Sequence, residues 1–139
     1  SRTQVCTSTR TADSLEENTS CFFAELKRLR MVLERVETGK LPVLFLLDEI
    51  LKGTNSKDRH AGAQALIRQL HRNGASGIVS THAIELVELE RELQGHLRNY
   101  SFNCEVTPAG GLNFDYRLTD GECRSMNATA LMKNMGIEM

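Results

Sequence analysis

A chain of 139 residues has room for one hydrophobic core and hardly for two. Hydrophobic residues make up 40% and charged residues 25%, which excludes a disordered chain and suits a soluble globular one. Seventeen Lys and Arg against eighteen Asp and Glu leave a formal net charge of −1, so there is no general electrostatic claim on nucleic acid or an anionic membrane, and any DNA contact has to be local.

In chain order, Thr3 to Thr9 alternates small polar and apolar residues around Val5 and Cys6 and begins without a cap or turn signal; it predicts a strand of a larger domain. Arg10 to Thr19 is polar and predicts a loop, after which Asn18, Thr19 or Ser20 can cap a helix. Phe22, Leu26, Leu29, Leu33 and Val36 form that helix's apolar stripe, with Lys27, Arg28 and Arg30 on a solvated face. Gly39 ends it, with Pro42 just beyond. Val43 to Leu47 is apolar without alternation, as expected of a central parallel strand buried on both faces, and is far too short to cross a bilayer.

A polar loop, Lys52 to Lys57, leads into a helix from about Asp58 with Ala63, Leu66, Ile67 and Leu70 inward and Gly74 at its end. Gly77 to Ser80 predicts a short strand, and Ala83 to Leu93 a third helix with Ile84, Val87 and the leucines inward. Tyr100, Phe102, Cys104 and Val106 alternate, Pro108 to Gly111 turns, and Leu112, Phe114, Tyr116 and Leu118 alternate back, predicting an antiparallel hairpin. A last helix from about Met126 to Met135 closes at Gly136. The order βαβαβα then ββα defines an α/β layered sheet with an antiparallel appendage.

Cys6, Cys21, Cys104 and Cys123 are widely spaced and form no CxxC pair, which argues against a zinc site or a disulfide framework. They read as reduced thiols of a cytoplasmic protein, with a Cys104–Cys123 pairing left open for an oxidising compartment. No signal peptide is expected. No GxxxxGK[ST] phosphate-binding loop occurs: Gly39-Lys40 is followed by Leu41, and Glu34 stands where its first glycine belongs.

The strongest chemical signal is the acidic pair that closes the apolar run. Hydrolysis of a nucleoside triphosphate needs one carboxylate for magnesium and one to orient water, tasks that suit Asp48 and Glu49 in that order. Alone, such a pair is as often the solvated start of a loop. Gly53-Thr54-Asn55-Ser56-Lys57-Asp58 follows it and opens a helix, where Asn55, Ser56 or Asp58 can serve as a plain cap or meet a second subunit. His82 stands at the end of the next strand, where a parallel neighbour lies close to Asp48 and Glu49; its alternative is a structural capping residue. His60 and His71 share a helix face but lie about 16 Å apart on the helical rise, too far to share a metal.

In combination these segments are more specific than any one alone. LLDEILKGTNSKDRHA and STHAIEL resemble the Walker B, D-loop and H-loop of the DNA mismatch-repair MutS family, whose wording is close to LLDEIGRGTSTYDGLA and ATHYHEL. TRTADSLEENTSCFFAELKRL is similar to that family's TRIGASDDL…STFMVEM segment, the counterpart of an ABC signature, and YRLTDGECRSMNATALMKNMGI to its closing hairpin and helix. The resemblance runs from Thr9 to about Ile137. It departs at Leu51 and Arg59, where the family has glycines, and at Asn18-Thr19, where it has Gly-Arg.

The resemblance implies that residues 1–139 are the C-terminal portion of an ABC-type P-loop ATPase domain: a mostly parallel sheet flanked by helices, with a C-terminal β-hairpin and helix. ATP and Mg2+ are then the cofactors, Asp48 the metal acid, Glu49 the acid that polarises water and His82 the γ-phosphate sensor. Ser20, with Asn18 and Thr19, and Asn55 with Ser56, would face ATP bound by the opposite subunit of a homodimer or related heterodimer, while double-stranded DNA would be gripped by domains upstream of Ser1. Two other readings stay open: another ABC-type head, from a chromosome-maintenance protein or a transporter, against which the missing LSGGQ and the STHAIEL wording count; and a non-catalytic interaction domain.

Overall fold

The structure, a computed structural model, describes residues 2–9, 18–124 and 128–139, with the side chains of Asn18 and Thr19 outside that description. The chain divides after Leu86 into two units. In the first, strand β1 (Gln4–Ser8), helix α1 (Asn18–Thr38), strand β2 (Val43–Asp48), helix α2 (Ser56–Arg72) and strand β3 (Ser76–Ser80) follow in order. The strands form a parallel sheet in the order β1-β2-β3, paired with Cys6 beside Phe45 and Phe45 beside Gly77.

Both β-α-β crossovers step in the same direction along the sheet, and because such crossovers are right-handed, α1 and α2 fall on one side of it. The burial of β2 reflects this. Val43, Phe45 and Leu47 are buried, whereas Leu44 and Leu46 are 36% and 37% exposed. The central parallel strand is as expected, but its burial on both faces is not: Val5 and Ile78 join Leu44 and Leu46 among the exposed apolar residues.

The covered side holds the core. Cys6 of β1, Leu29, Val32 and Val36 of α1, and Ala63, Leu66, Ile67 and Leu70 of α2 are all buried, Leu70 completely. The inner face of α2 is as its periodicity predicts. That of α1 is rotated: Val32 is buried and Leu26 is 40% exposed, so the stripe runs through Leu29, Val32 and Val36 with half-buried Phe22 and Glu25 extending it. Helix α2 begins two residues before the predicted Asp58, because Asn55 caps it by accepting the Asp58 N–H at 2.9 Å while its amide donates to Asp58 Oδ2. Past β3, the expected third helix is a 3₁₀ turn, Ile84–Glu88, running into one α-helical turn, α3 (Leu89–Glu92). Three residues per turn align Leu86 with Leu89, which are buried, and leave Ile84 50% exposed.

The second unit, from Val87, carries the hairpin of β4 (Tyr100–Val106) and β5 (Leu112–Asp120), paired antiparallel with a bulge between Phe102 and Cys104. Asn99 secures its base, donating from its side chain to Val87 O and Glu90 Oε2 and accepting at its carbonyl from Gly121 N–H. The hairpin turn closes through Gly110 at φ +82°. Helix α4 (Ala128–Asn134) ends at Gly136, φ +89°, as expected; the start predicted at Met126 and Asn127 lies outside the described residues.

Gly77 tests the packing of β2 on β3. A Cβ there would stand 2.2 Å from the Phe45 ring and 2.3 Å from the Phe45 carbonyl oxygen, and the backbone oxygen cannot yield. Gly77→Ala is expected to destabilise the fold by about 2 kcal/mol, read as a lower urea midpoint at unchanged slope.

Candidate functional site

The site is built where β2 ends. Asp48, the last residue of the strand, lies on the uncovered side of the sheet in register with Ser80 of β3, whose hydroxyl donates to Asp48 Oδ1. The backbone then turns sharply. Glu49 has φ +51° and Leu51 φ +60°, left-handed conformations that cost a residue with a Cβ about 1–2 kcal/mol each.

Three contacts hold this turn. Glu49 N–H donates to Ser80 O at 3.0 Å, continuing the β2–β3 ladder by one rung. Leu51 N–H donates to Glu25 Oε1 of α1 at 2.8 Å, so the helix supplies the acceptor that the turn lacks. Ile50 and Leu51 are themselves buried, at 5% and 7% exposure, which returns about 1.5–3 kcal/mol each. Gly53 lies so near Phe22 of α1 that an added Cβ would meet the Phe22 Cβ at 2.7 Å, locking the loop to the start of the helix.

The turn brings the Glu49 carboxylate, 18% exposed, between two nitrogen partners: Oε2 is 3.0 Å from Lys52 Nζ and Oε1 is 3.0 Å from His82 Nε2. The His82 side chain is 90% exposed and that of Lys52 34%, so each pair is worth at most about 1 kcal/mol. Asp48, Glu49 and His82 are thus brought together at the ends of adjacent strands. Oδ2 of Asp48 has no protein partner among the described residues, and no group of three His, Cys, Asp or Glu there is placed to hold a metal by itself. One open carboxylate oxygen suits a hard ion such as magnesium, which takes one or two carboxylates and fills its other positions with water and phosphate.

The remaining predicted residues stand apart from this cluster. Ser20 lies inside α1 and is exposed, so the N-cap role is not its own; Asn18 and Thr19 open the helix, and the contacts predicted for their side chains lie outside the described residues. Asn55 spends its side chain on Asp58, and Ser56 is an exposed first residue of α2. Sequence reasoning missed Ser80, Lys52 and Glu25. The register Asp48–Ser80 follows from pairing the two strand ends, and Lys52 is a near neighbour of Glu49 in sequence. Glu25 carried a signal only in hindsight of the helix rotation, as an acid on an otherwise apolar face.

A parallel α/β sheet with adjacent carboxylates at the carboxyl end of its central strand, met by a histidine from the next strand, defines the class of α/β proteins that bind ligands at their strand ends. Residues 2–137 match the family model of MutS domain V, and the chain belongs to the MutS family. It is 31% identical over 135 residues to the DNA mismatch repair protein MutS of Natronomonas pharaonis, covering 96% of this chain and 15% of that one. Against the proteins of the same name from Aquifex pyrophilus and Halalkalibacterium halodurans, identity is 29% over 126 residues and 34% over 120, covering 90% and 86% of this chain and 14% and 13% of theirs. The chain therefore spans about one seventh of the length of these relatives. No helix among the described residues is long and apolar enough to cross a membrane.

If Glu25 is what holds the turn, Glu25→Ala strands the Leu51 N–H and costs about 2 kcal/mol, with faster amide exchange at residues 49–53, whereas Glu25→Gln keeps an acceptor and stays within about 0.5 kcal/mol of wild type. Equal exchange rates in both variants would show that burial of Ile50 and Leu51 suffices.

Proposed function

We propose that this chain is the hydrolytic part of the ATPase domain of a longer, DNA-binding protein of the mismatch-repair type, with Asp48-Glu49 as its Walker B acids. The observation that carries the reading is the meeting of Asp48, Glu49 and His82 at adjacent strand ends in a chain of the MutS family. Asp48 holds magnesium, which when bound neutralises charge on the β- and γ-phosphates. Glu49 orients the attacking water and accepts its proton. The phosphate cradle, for which this sequence has no GxxxxGK[ST], comes from another part of the longer protein.

The resting contacts give Glu49 a second property. With Oε1 facing His82 and Oε2 facing Lys52, each oxygen already has a nitrogen partner and keeps only part of its accepting capacity for water. His82 is the more exposed and the cheaper to release. When its imidazole turns to a γ-phosphate, Oε1 loses that partner and is more open to water, which links arrival of the nucleotide to the readiness of the base.

Ser20 with Asn18 and Thr19, and the loop of Asn55 and Ser56, contact ATP held by a second subunit, in a homodimer or a related heterodimer. Supporting this, Ser20 and Ser56 are exposed, and the Gly53–Phe22 packing ties their two segments into one surface. A trans contact by Asn55 runs through its backbone or requires its amide to leave Asp58. Double-stranded DNA is bound by other domains of the longer protein.

The test is steady-state ATP turnover by the full-length protein, with and without duplex DNA. Magnesium-dependent turnover is expected in the wild type and at least about 100-fold less in Glu49→Gln and Asp48→Ala. Unchanged turnover in Glu49→Gln would remove it as the base, and no turnover in the wild type would favour an interaction domain. The 139-residue chain by itself is expected to give no steady turnover, for want of the phosphate cradle and its lysine.

A further inference from the structure

Ser80 is the one polar side chain that touches Asp48 among the described residues. Its place follows from the sheet: Asp48 and Ser80 are register partners at the last rung of the β2–β3 ladder, and both side chains rise on the uncovered side. Their backbones are fixed by that rung and by the Glu49 N–H bond to the Ser80 carbonyl. The serine is held from both sides, and Thr81, next in the chain, anchors the following turn by accepting the Ala83 N–H at its hydroxyl, 2.9 Å away.

A carboxylate at a strand end is free to rotate about its last torsion, and its two oxygens are equivalent until something distinguishes them. The Ser80 hydroxyl makes that distinction. We propose that Ser80 is a positioning residue for the metal acid: by donating to Oδ1 it fixes the plane of the Asp48 carboxylate and leaves Oδ2 as the oxygen presented to a divalent cation. The inference rests on the reading of Asp48 as the metal acid. A hydroxyl donor satisfies one oxygen without adding charge, so the carboxylate keeps its full negative charge for the ion while losing rotational freedom before the ion arrives. The effect therefore lies in metal affinity and leaves the chemical step alone, since the Ser80 hydroxyl donates to Asp48 and only the Ser80 backbone meets Glu49.

The experiment uses the full-length protein with a non-hydrolysable ATP analogue and Mn2+ in place of Mg2+, following bound manganese by electron paramagnetic resonance. Ser80→Ala is expected to weaken Mn2+ binding about fivefold, the worth of one net hydrogen bond, and Ser80→Thr, which keeps the hydroxyl and favours a strand, to restore it. In turnover, Ser80→Ala should raise the magnesium concentration for half-maximal rate by a similar factor while the rate at saturating magnesium stays at the wild-type value. Asp48→Ala separates the two ideas. If it abolishes Mn2+ binding while Ser80→Ala binds like wild type, the positioning role is overturned and Asp48 stands. If Asp48→Ala binds Mn2+ normally, the assignment of Asp48 falls and this inference with it. A drop in saturated turnover by Ser80→Ala at unchanged metal affinity would also overturn it, since it would place the serine in the chemical step. Position 80 is exposed at the end of its strand, so removing the hydroxyl opens no cavity and the variant is expected to fold.

Discussion

Everything at the candidate site depends on the reversal of the backbone immediately after β2. A strand that simply continued would alternate Asp48 and Glu49 to opposite faces of the sheet. The left-handed step at Glu49 breaks that alternation and lets the second acid swing to the rim, where Lys52 and His82 meet it. The step is unfavourable for any residue with a side chain, and no glycine relieves it at 49 or 51. It persists because α1 supplies Glu25 as an acceptor and because Ile50 and Leu51 are buried as a consequence of the same turn. Local strain and tertiary packing are here two sides of one arrangement.

This dependence explains why a helix well away in sequence belongs to the site. Phe22 and Glu25 of α1 contact Gly53 and Leu51, so the start of the helix and the loop after the acids are positioned by each other. These two segments, signature-like and D-loop-like in sequence, are the ones proposed above to face a second subunit. Their mutual packing means that neither segment can shift without disturbing the other.

Much of the fold was legible in the sequence. The unbroken apolar run Val43 to Leu47 marked the central parallel strand, the spacing of Ala63, Leu66, Ile67 and Leu70 marked a helix face, and the alternation around Pro108 to Gly111 marked a hairpin. The misses have physical causes. The apolar run predicts burial on both faces, but two crossovers in the same direction cover only one. The α1 stripe was read through Leu26 because hydropathy cannot anticipate an inward glutamate whose charge is spent on a backbone N–H. The segment after β3 has a helical pattern whose actual period is three, and five residues are too few to tell three from 3.6. Of the site, the acids and the histidine were legible as a motif. Ser80, Lys52 and Glu25 were not, since each acts through a register or a turn that exists only once the chain is folded.

The turn also links two positions that no functional motif connects. A Cβ on Gly62 of α2 would lie 2.9 Å from a terminal methyl of Leu51, so the leucine occupies the volume that a side chain at 62 would need. The two residues share one space. In the language of inheritance, the bulk at 51 and the bulk at 62 are coupled: glycine at 51 would ease the backbone but open a hole, which a larger residue at 62 could then fill. Bulk lost from the loop after β2 could thus be made good one helix away, as a paired exchange between a loop and the helix behind it.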